Sequence, residues 1–302
     1  MASAVPEWSL PLRAAAALCC VLLFTAAAPT PEAAWKAGIA DENKDYAAIP
    51  HAMLKIQDSA YLGEGSRAVL TGRKGEPGSW HWSLDPKAQG PLAISFAKGR
   101  LSISHDGKSV DPAQVTKSIA IDKDVDIAGQ PTQVQAGVNG WRIFVYNQQN
   151  PAAKNFKGVS YYPYDPAFRV EASFRPDRAL PAKVFRTSRG TGKQFYHAGD
   201  AVFSLKGKSI TLPFYTDSNR PAEIKDMSAF YTDELTGKGA YSAGRYVDVE
   251  GWRAFPPAHV TIDFNLAYNP NCARSAHFTC PLAVDEIPLA MAAGERDPHL
   301  TH

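Results

Sequence analysis

The sequence predicts a mainly β protein: antiparallel sheets arranged as a sandwich or an open, barrel-like unit, with few short helices. Three observations carry that expectation. About ten short segments either alternate apolar and polar residues or run as apolar stretches rich in Val, Ile, Phe, Tyr and Trp. Turn formers punctuate them, with 23 prolines and 22 glycines in 302 residues. The helical piece at 46–57 is short and interrupted by Pro50.

Residues 1–27 have the pattern of a secretory signal. Arg13 precedes an apolar run from Ala14 to Phe24, and Thr25-Ala26-Ala27 offers a small-x-small cleavage site. Cutting after Ala27 is preferred, because cutting after Ala28 would leave Pro29 at the new terminus. A run of about 15 apolar residues is short for a membrane span, which needs roughly 20. No other segment is long and apolar enough to cross, so the mature chain is expected to be exported, periplasmic or secreted, without an integral membrane segment. Residues 28–58 are Ala/Pro-rich and then charged, as in a flexible leader.

An N-terminal β region is expected over 59–130. Strand-like segments at 68–71 and 80–84 are separated by Gly75-Glu76-Pro77-Gly78, and those at 91–96 and 101–104 flank Lys98-Gly99-Arg100, a hairpin signal. Trp80 and Trp82 share one strand face, directed to a core, with His81 on the other. Residues 110–138 are more polar and read as a bridge, with the boundary between halves near 130.

A C-terminal β region is expected over 131–302. It begins with 141–146 and continues with 168–174, where Arg169 and Glu171 lie side by side opposite Phe168, Val170 and Ala172. Segments 201–205 and 209–215 surround Gly207 as a second hairpin, followed by 227–232, 245–249 and 260–268. In the last, Val260, Ile262, Phe264, Leu266 and Tyr268 share one face, and Thr261, Asp263 and Asn265 the other. Tyr161-Tyr162-Pro163-Tyr164 reads as an aromatic edge that packs on the core or offers a stacking platform to sugar rings.

Charge and motifs narrow the chemistry. With 32 basic against 30 acidic residues, dispersed along the chain, there is no electrostatic footprint for nucleic acid. Gly190-Thr191-Gly192-Lys193 lacks the earlier Gly and the following Ser or Thr of a phosphate loop, and no nucleophile elbow, zinc-protease helix or dinucleotide fingerprint occurs. No cofactor is expected. After signal removal two cysteines remain, Cys272 and Cys280, with seven residues between them. In an oxidising compartment they read as a disulfide. The competing Cys-x4-His-x2-Cys reading through His277 lacks a fourth ligand, so no metal site is expected.

The candidate site collects Arg245, Asp233, Asp263, Asn265, Tyr268 and Glu295. An arginine on a strand neighbouring Asp263 can fork onto its carboxylate, so Arg245 is expected against Asp263. Over a cleft, such groups bind a polar ligand or position a water for general-base attack by Asp263 or Glu295. The ordinary alternative is a structural ion pair with Asn265 capping a turn. Asp233, three residues before Thr236-Gly237, reads first as an Asx turn.

These segments also carry a resemblance. Asp263-Phe264-Asn265, Tyr268-Asn269-Pro270-x-Cys272, Thr279-Cys280-Pro281-Leu282 and Ala293-Gly294-Glu295 resemble the C-terminal signature of a bacterial family, domain of unknown function 1684. Residues 156–163 with 166–172, and Phe230-Tyr231-Thr232-Asp233 with Gly244-Arg245-Tyr246, are similar to the same family, so the likeness spans about 140–296. Two departures stand out: Leu282-Ala283-Val284 replaces the prolines and Glu-Asn-Arg usual after Cys280-Pro281, and the family's Trp-rich N-terminal segment has no counterpart. The resemblance implies which residues matter and no activity. The expectation is an exported β domain that binds a small molecule, a glycan or carbohydrate, or an envelope or partner protein. The alternative is a hydrolase using Asp263 or Glu295 as general base, with Arg245 holding an anionic group; whether the protein is an enzyme stays open.

Overall fold

A computed structural model describes residues 29–299; the expected signal segment 1–27 lies outside them. Nine strands come first: β1 (Ile56–Leu62), β2 (Ser66–Arg73), β3 (Glu76–Ser83), β4 (Leu92–Ala97), β5 (Arg100–His105), β6 (Lys108–Val110), β7 (Ile119–Asp122), β8 (Val125–Gln135) and β9 (Val138–Asn147). They build two antiparallel sheets, ordered β1-β9-β8-β7 and β3-β2-β4-β5-β6. The inward faces meet as a sandwich: Leu62, Ile127 and Ile143 from the first sheet pack with Leu70, Trp80, Leu92 and Ile94 from the second. Trp80 is buried and Trp82 packs beside it, while His81 is exposed, as period-two alternation requires.

Eight strands follow: β10 (Arg169–Pro176), β11 (Ala182–Arg186), β12 (Gly192–Leu205), β13 (Lys208–Thr216), β14 (Ser228–Asp233), β15 (Arg245–Glu250), β16 (His259–Asp263) and β17 (Asp285–Ile287). The order β10-β16-β15-β14-β13-β12 closes through a β12–β10 pairing into a six-stranded antiparallel barrel, which removes its free edges. β11 continues from β12, and β17 adds in parallel to β14. Closure turns on Gly199. β12 shifts register between His197 and Gly199, and a Cβ at Gly199 would sit 2.3 Å from the Arg175 carbonyl oxygen of β10. Val170, Phe203, Leu212, Phe214, Val247, Ile262 and Phe264 fill the interior.

The barrel has an aromatic outer face as well. Alternation along β14 sends Ala229 and Tyr231 to the core and Phe230 outward, where it meets Phe185, Tyr215 and Tyr246, with Phe195 and Tyr268 at the margin. Phe185 and Phe230 stand edge to face, with centroids 5.1 Å apart.

Three expectations change. The break between the two strand systems falls at 148–168 and not near 130, because polar β8 and apolar β9 pair over ten registered positions and both stay in the first sheet. The strand expected at 260–268 stops at Asp263. There the Asp263 carboxylate accepts the Asn265 backbone N–H at 3.0 Å and turns the chain into a 3-10 turn, Phe264–Leu266. Within the expected leader lies helix α1 (Pro31–Asn43), with Thr30 accepting the Ala33 N–H and Pro31 opening the first turn. Trp35 fastens it to the barrel, donating from Nε1 to the Asn265 carbonyl at 2.9 Å beside the Tyr161 and Tyr164 rings.

Candidate functional site

The structure divides the site that the sequence suggested: Arg245 joins Asp233 and reaches the Glu295 backbone carbonyl, while Asp263 and Asn265 bond each other. Arg245 points into the barrel end and pairs with Asp233, Nη2 to Oδ2 at 2.7 Å, with both side chains wholly buried. The same nitrogen donates to the Met291 carbonyl at 2.9 Å, and Nη1 donates to the Ala293 carbonyl. The fork onto Asp263 does not form. β15 and β16 are neighbours, but the register sets Val249 against Ile262, leaving Arg245 beyond the paired stretch. Asp263 lies instead opposite Arg169 of β10, whose Nε approaches it to 3.6 Å while the guanidinium also reaches Glu171 and Glu250.

The remaining candidates are likewise engaged. Asp233 accepts the Leu235 N–H at 2.8 Å, the Asx turn its spacing announces. Asn265 is almost fully buried and spends its amide on the Asp165 backbone and the Asp263 carboxylate. Glu295 accepts the Asn269 N–H at 2.5 Å and a bond from the Arg274 guanidinium. Burial pushes the Glu295 carboxyl up to about 7, against the lowering effect of Arg274, and neighbouring Glu42 adds to the rise. Glu42 is raised as well, by burial first, although Tyr161 donates to it at 2.6 Å.

Open space lies elsewhere, in a cavity of about 500 Å³ at the seam between sandwich and barrel. One wall is a cross-strand row on the outer face of the first sheet, where Tyr61 of β1, Arg142 of β9 and Gln130 of β8 are register partners. The opposite wall is the barrel's aromatic face, with Phe195, Phe230, Tyr246 and Tyr268. Residues 270–281 roof it, and the β11–β12 hairpin contributes Thr187, Arg189, Thr191 and Lys193. Gln133 of β8 stitches the two units beside the cavity, donating to the Gln194 carbonyl at 2.9 Å and accepting its N–H at 3.0 Å.

The charge of this lining is one-sided. It carries Arg142, Arg189 and Lys193 and no carboxylate. Arg142 is 6% exposed, and its Nε and Nη2 have no hydrogen-bond partner. Its guanidinium instead sits over the Phe278, Phe144 and Tyr61 rings at 4.6, 4.7 and 5.1 Å. Arg189 donates to the Ala276 carbonyl, tying the hairpin tip to the roof. Burial lowers the Arg142 and Lys193 pKa values from their usual ranges, and Arg142 adds to the lowering at Lys193. The carboxylate reached from the lining is Asp248, which accepts from Ser228 at 2.5 Å and from Tyr268 at 3.3 Å.

Of the candidate site residues and the cysteine pair, Tyr268 and Cys280 reach this cavity. Cys272 and Cys280 are adjacent thiols, with the Cys272 N–H 3.4 Å from the Cys280 sulfur. The Cys280 thiol hydrogen-bonds Cys272 and holds its pKa down, to about 6, while that pairing and burial push Cys280 up. Among the described residues, no cluster of three or more His, Cys, Asp or Glu has the arrangement of a metal site. Sequence reasoning missed Arg142 and Arg189 and met Lys193 only as the end of an incomplete phosphate-loop match. The signal at Arg142 was legible: on β9 it shares a face with Phe144 and Tyr146, a charge placed on an otherwise aromatic stripe.

Fold and site together define an antiparallel β-barrel protein with an N-terminal β-sandwich and a cationic, aromatic-walled cavity in the seam. The chain belongs to the family described as "Protein of unknown function (DUF1684)", whose model matches residues 154–296, the barrel and its roof. An uncharacterized protein of Haloarcula marismortui, with a solution NMR structure, is 31% identical over 47% of this chain and 78% of its own, with a TM-score of 0.40. No curated protein matches the chain. Among the described residues, no helix is long and apolar enough to cross a membrane.

Proposed function

We propose that this protein binds a small anion carrying a flat apolar group in the seam cavity. The observation that supports this reading is Arg142, a buried guanidinium without a carboxylate partner on the wall of a cavity lined by two further cations. An unpaired charge out of water costs several kcal/mol, and a bound anion offsets that cost. The aromatic wall supplies contact area for a planar group, and about 500 Å³ suits a small organic molecule. Among the ligand classes the sequence left open, a small molecule fits this volume and charge better than a glycan, because the aromatic rings share their space with cations and no acidic groups.

Titration calorimetry with phenyl phosphate and benzoate, against uncharged phenol, tests the proposal. Saturable binding of the anions that weakens with salt and disappears in Arg142→Met supports it. Equal binding of phenol would overturn the anionic requirement.

The hydrolase alternative draws little from this geometry. Asp263 and Glu295 lie outside the cavity lining, and Arg245 is wholly buried with both terminal nitrogens bonded to Asp233 and backbone carbonyls. Export, which the N-terminal pattern suggests, belongs to the same proposal and makes a Cys272–Cys280 disulfide its natural companion. N-terminal sequencing of the mature protein should begin at Ala28.

A further inference from the structure

We propose that Lys193 is a nucleophilic amine that captures the carbonyl carbon of an oxo acid or anionic aldehyde as an imine within the seam cavity. The proposal rests on the anion-binding reading above and assigns a chemistry to one of its cations.

Three features of the geometry point to Lys193. First, it is the second residue of β12, registered against Phe185, with its ammonium 5.3 Å from the Phe195 ring centroid on the cavity wall. Second, among the described residues its ammonium has no hydrogen-bond or ion-pair partner. By contrast Lys183, one strand away, donates to the Tyr215 hydroxyl at 2.6 Å and approaches Asp285 to 3.9 Å. Third, Arg142 shares the cavity and acts on Lys193 as a like charge. A lysine attacks carbonyls only as the neutral amine, and desolvation beside another cation is the environment that frees that form. The Cys280 sulfur outweighs Arg142 in the opposite sense and Asp217 adds to it, so burial is what lowers the Lys193 pKa.

The step balances without an outside reagent. The Nζ lone pair adds to the carbonyl carbon, and the nitrogen's proton passes to the oxygen, giving a carbinolamine. The carbinolamine then loses its hydroxyl together with the remaining nitrogen proton as water while the carbon–nitrogen double bond forms. Amine and carbonyl become imine and water, with no net electron transfer. Arg142 and Arg189 hold the carboxylate or phosphate end, and the aromatic wall receives the remainder.

The test traps the imine on the full-length protein with glyoxylate or pyridoxal phosphate and cyanoborohydride, then maps the reduced adduct by peptide mass spectrometry. The expected result is one predominant adduct on Lys193, reduced at least tenfold by excess phenyl phosphate and by Arg142→Met, and lost in Lys193→Met. An adduct spread evenly over exposed lysines, or one indifferent to phenyl phosphate in the wild-type chain, overturns the proposal; neither readout depends on a variant folding. Calorimetry of phenyl phosphate on the wild type separates the two readings. Binding without a Lys193 adduct leaves the anion site standing and removes the imine, whereas absence of both removes both.

Discussion

Arg245 and Asp233 form a wholly buried ion pair, 2.7 Å between Nη2 and Oδ2, at the end of the barrel. β14 delivers the aspartate as its last residue and β15 the arginine as its first, so the pair closes the connection between two adjacent strands. The guanidinium also collects the carbonyls of Met291 and Ala293, joining the C-terminal segment to the barrel.

Removing one partner therefore strands a charge in the interior. Arg245→Met and Asp233→Asn should each lower stability by about 3–5 kcal/mol. The double variant should lose less than the sum of the singles. Urea denaturation of the four proteins gives the coupling energy, and additive losses would mean that the pair does not act as a unit.

Arg142 should behave in the opposite way. Without a partner carboxylate, it carries its desolvation cost in the free protein, so Arg142→Met should melt at the wild-type temperature or above it. Phenyl phosphate at about 100 times its dissociation constant should stabilise the wild type by about 2.7 kcal/mol. The variant should show no such shift. A strongly destabilised Arg142→Met would assign the residue to packing.

Glu295 predicts a pH dependence. Its folded pKa, about 7, lies above the usual 4.5, so the folded state holds a proton that the unfolded state releases. That contribution is complete below about 4.5, declines as pH rises, and is gone above about 7. Glu42, also raised, adds in the same sense. Denaturation midpoints measured from pH 5 to 8.5 should fall with pH in the wild type and fall less steeply in Glu295→Gln. Parallel profiles would remove Glu295 as the responsible group.

The cysteine pair should oxidise without rearrangement. Closing the 272–280 loop as a disulfide should stabilise the protein by about 2–3 kcal/mol on the chain-entropy model. Thiol titration under denaturing conditions, before and after reductant, reads the bond, and the melting temperature should fall on reduction. Because Cys280 lines the cavity, reduction should also weaken phenyl phosphate binding.

Several features of the site were legible before the fold was known. The Asx turn at Asp233, the turn at Asn265 and the proximity of Cys272 to Cys280 are local, set by residues within a few positions of one another. The partner of Arg245 was not legible. Two carboxylates lay within plausible reach, and only the register of β15 on β16 excludes Asp263 while the β14–β15 connection supplies Asp233. The end of β16 escaped notice because alternation continues through 268, although a side-chain bond from Asp263 stops the strand at once.

By itself the sequence determined the β class, the hairpins around Lys98-Gly99-Arg100 and Gly207, and which faces are apolar, because period-two alternation and turn chemistry act over a few residues. Only the tertiary structure decided that the second half closes into a barrel and that its aromatic outer face meets a row containing Arg142. Lys193 lies 51 residues beyond Arg142 on a strand of the other unit. Their shared cavity is set by long-range strand pairing and by the docking of two units, and neither leaves a mark in local periodicity.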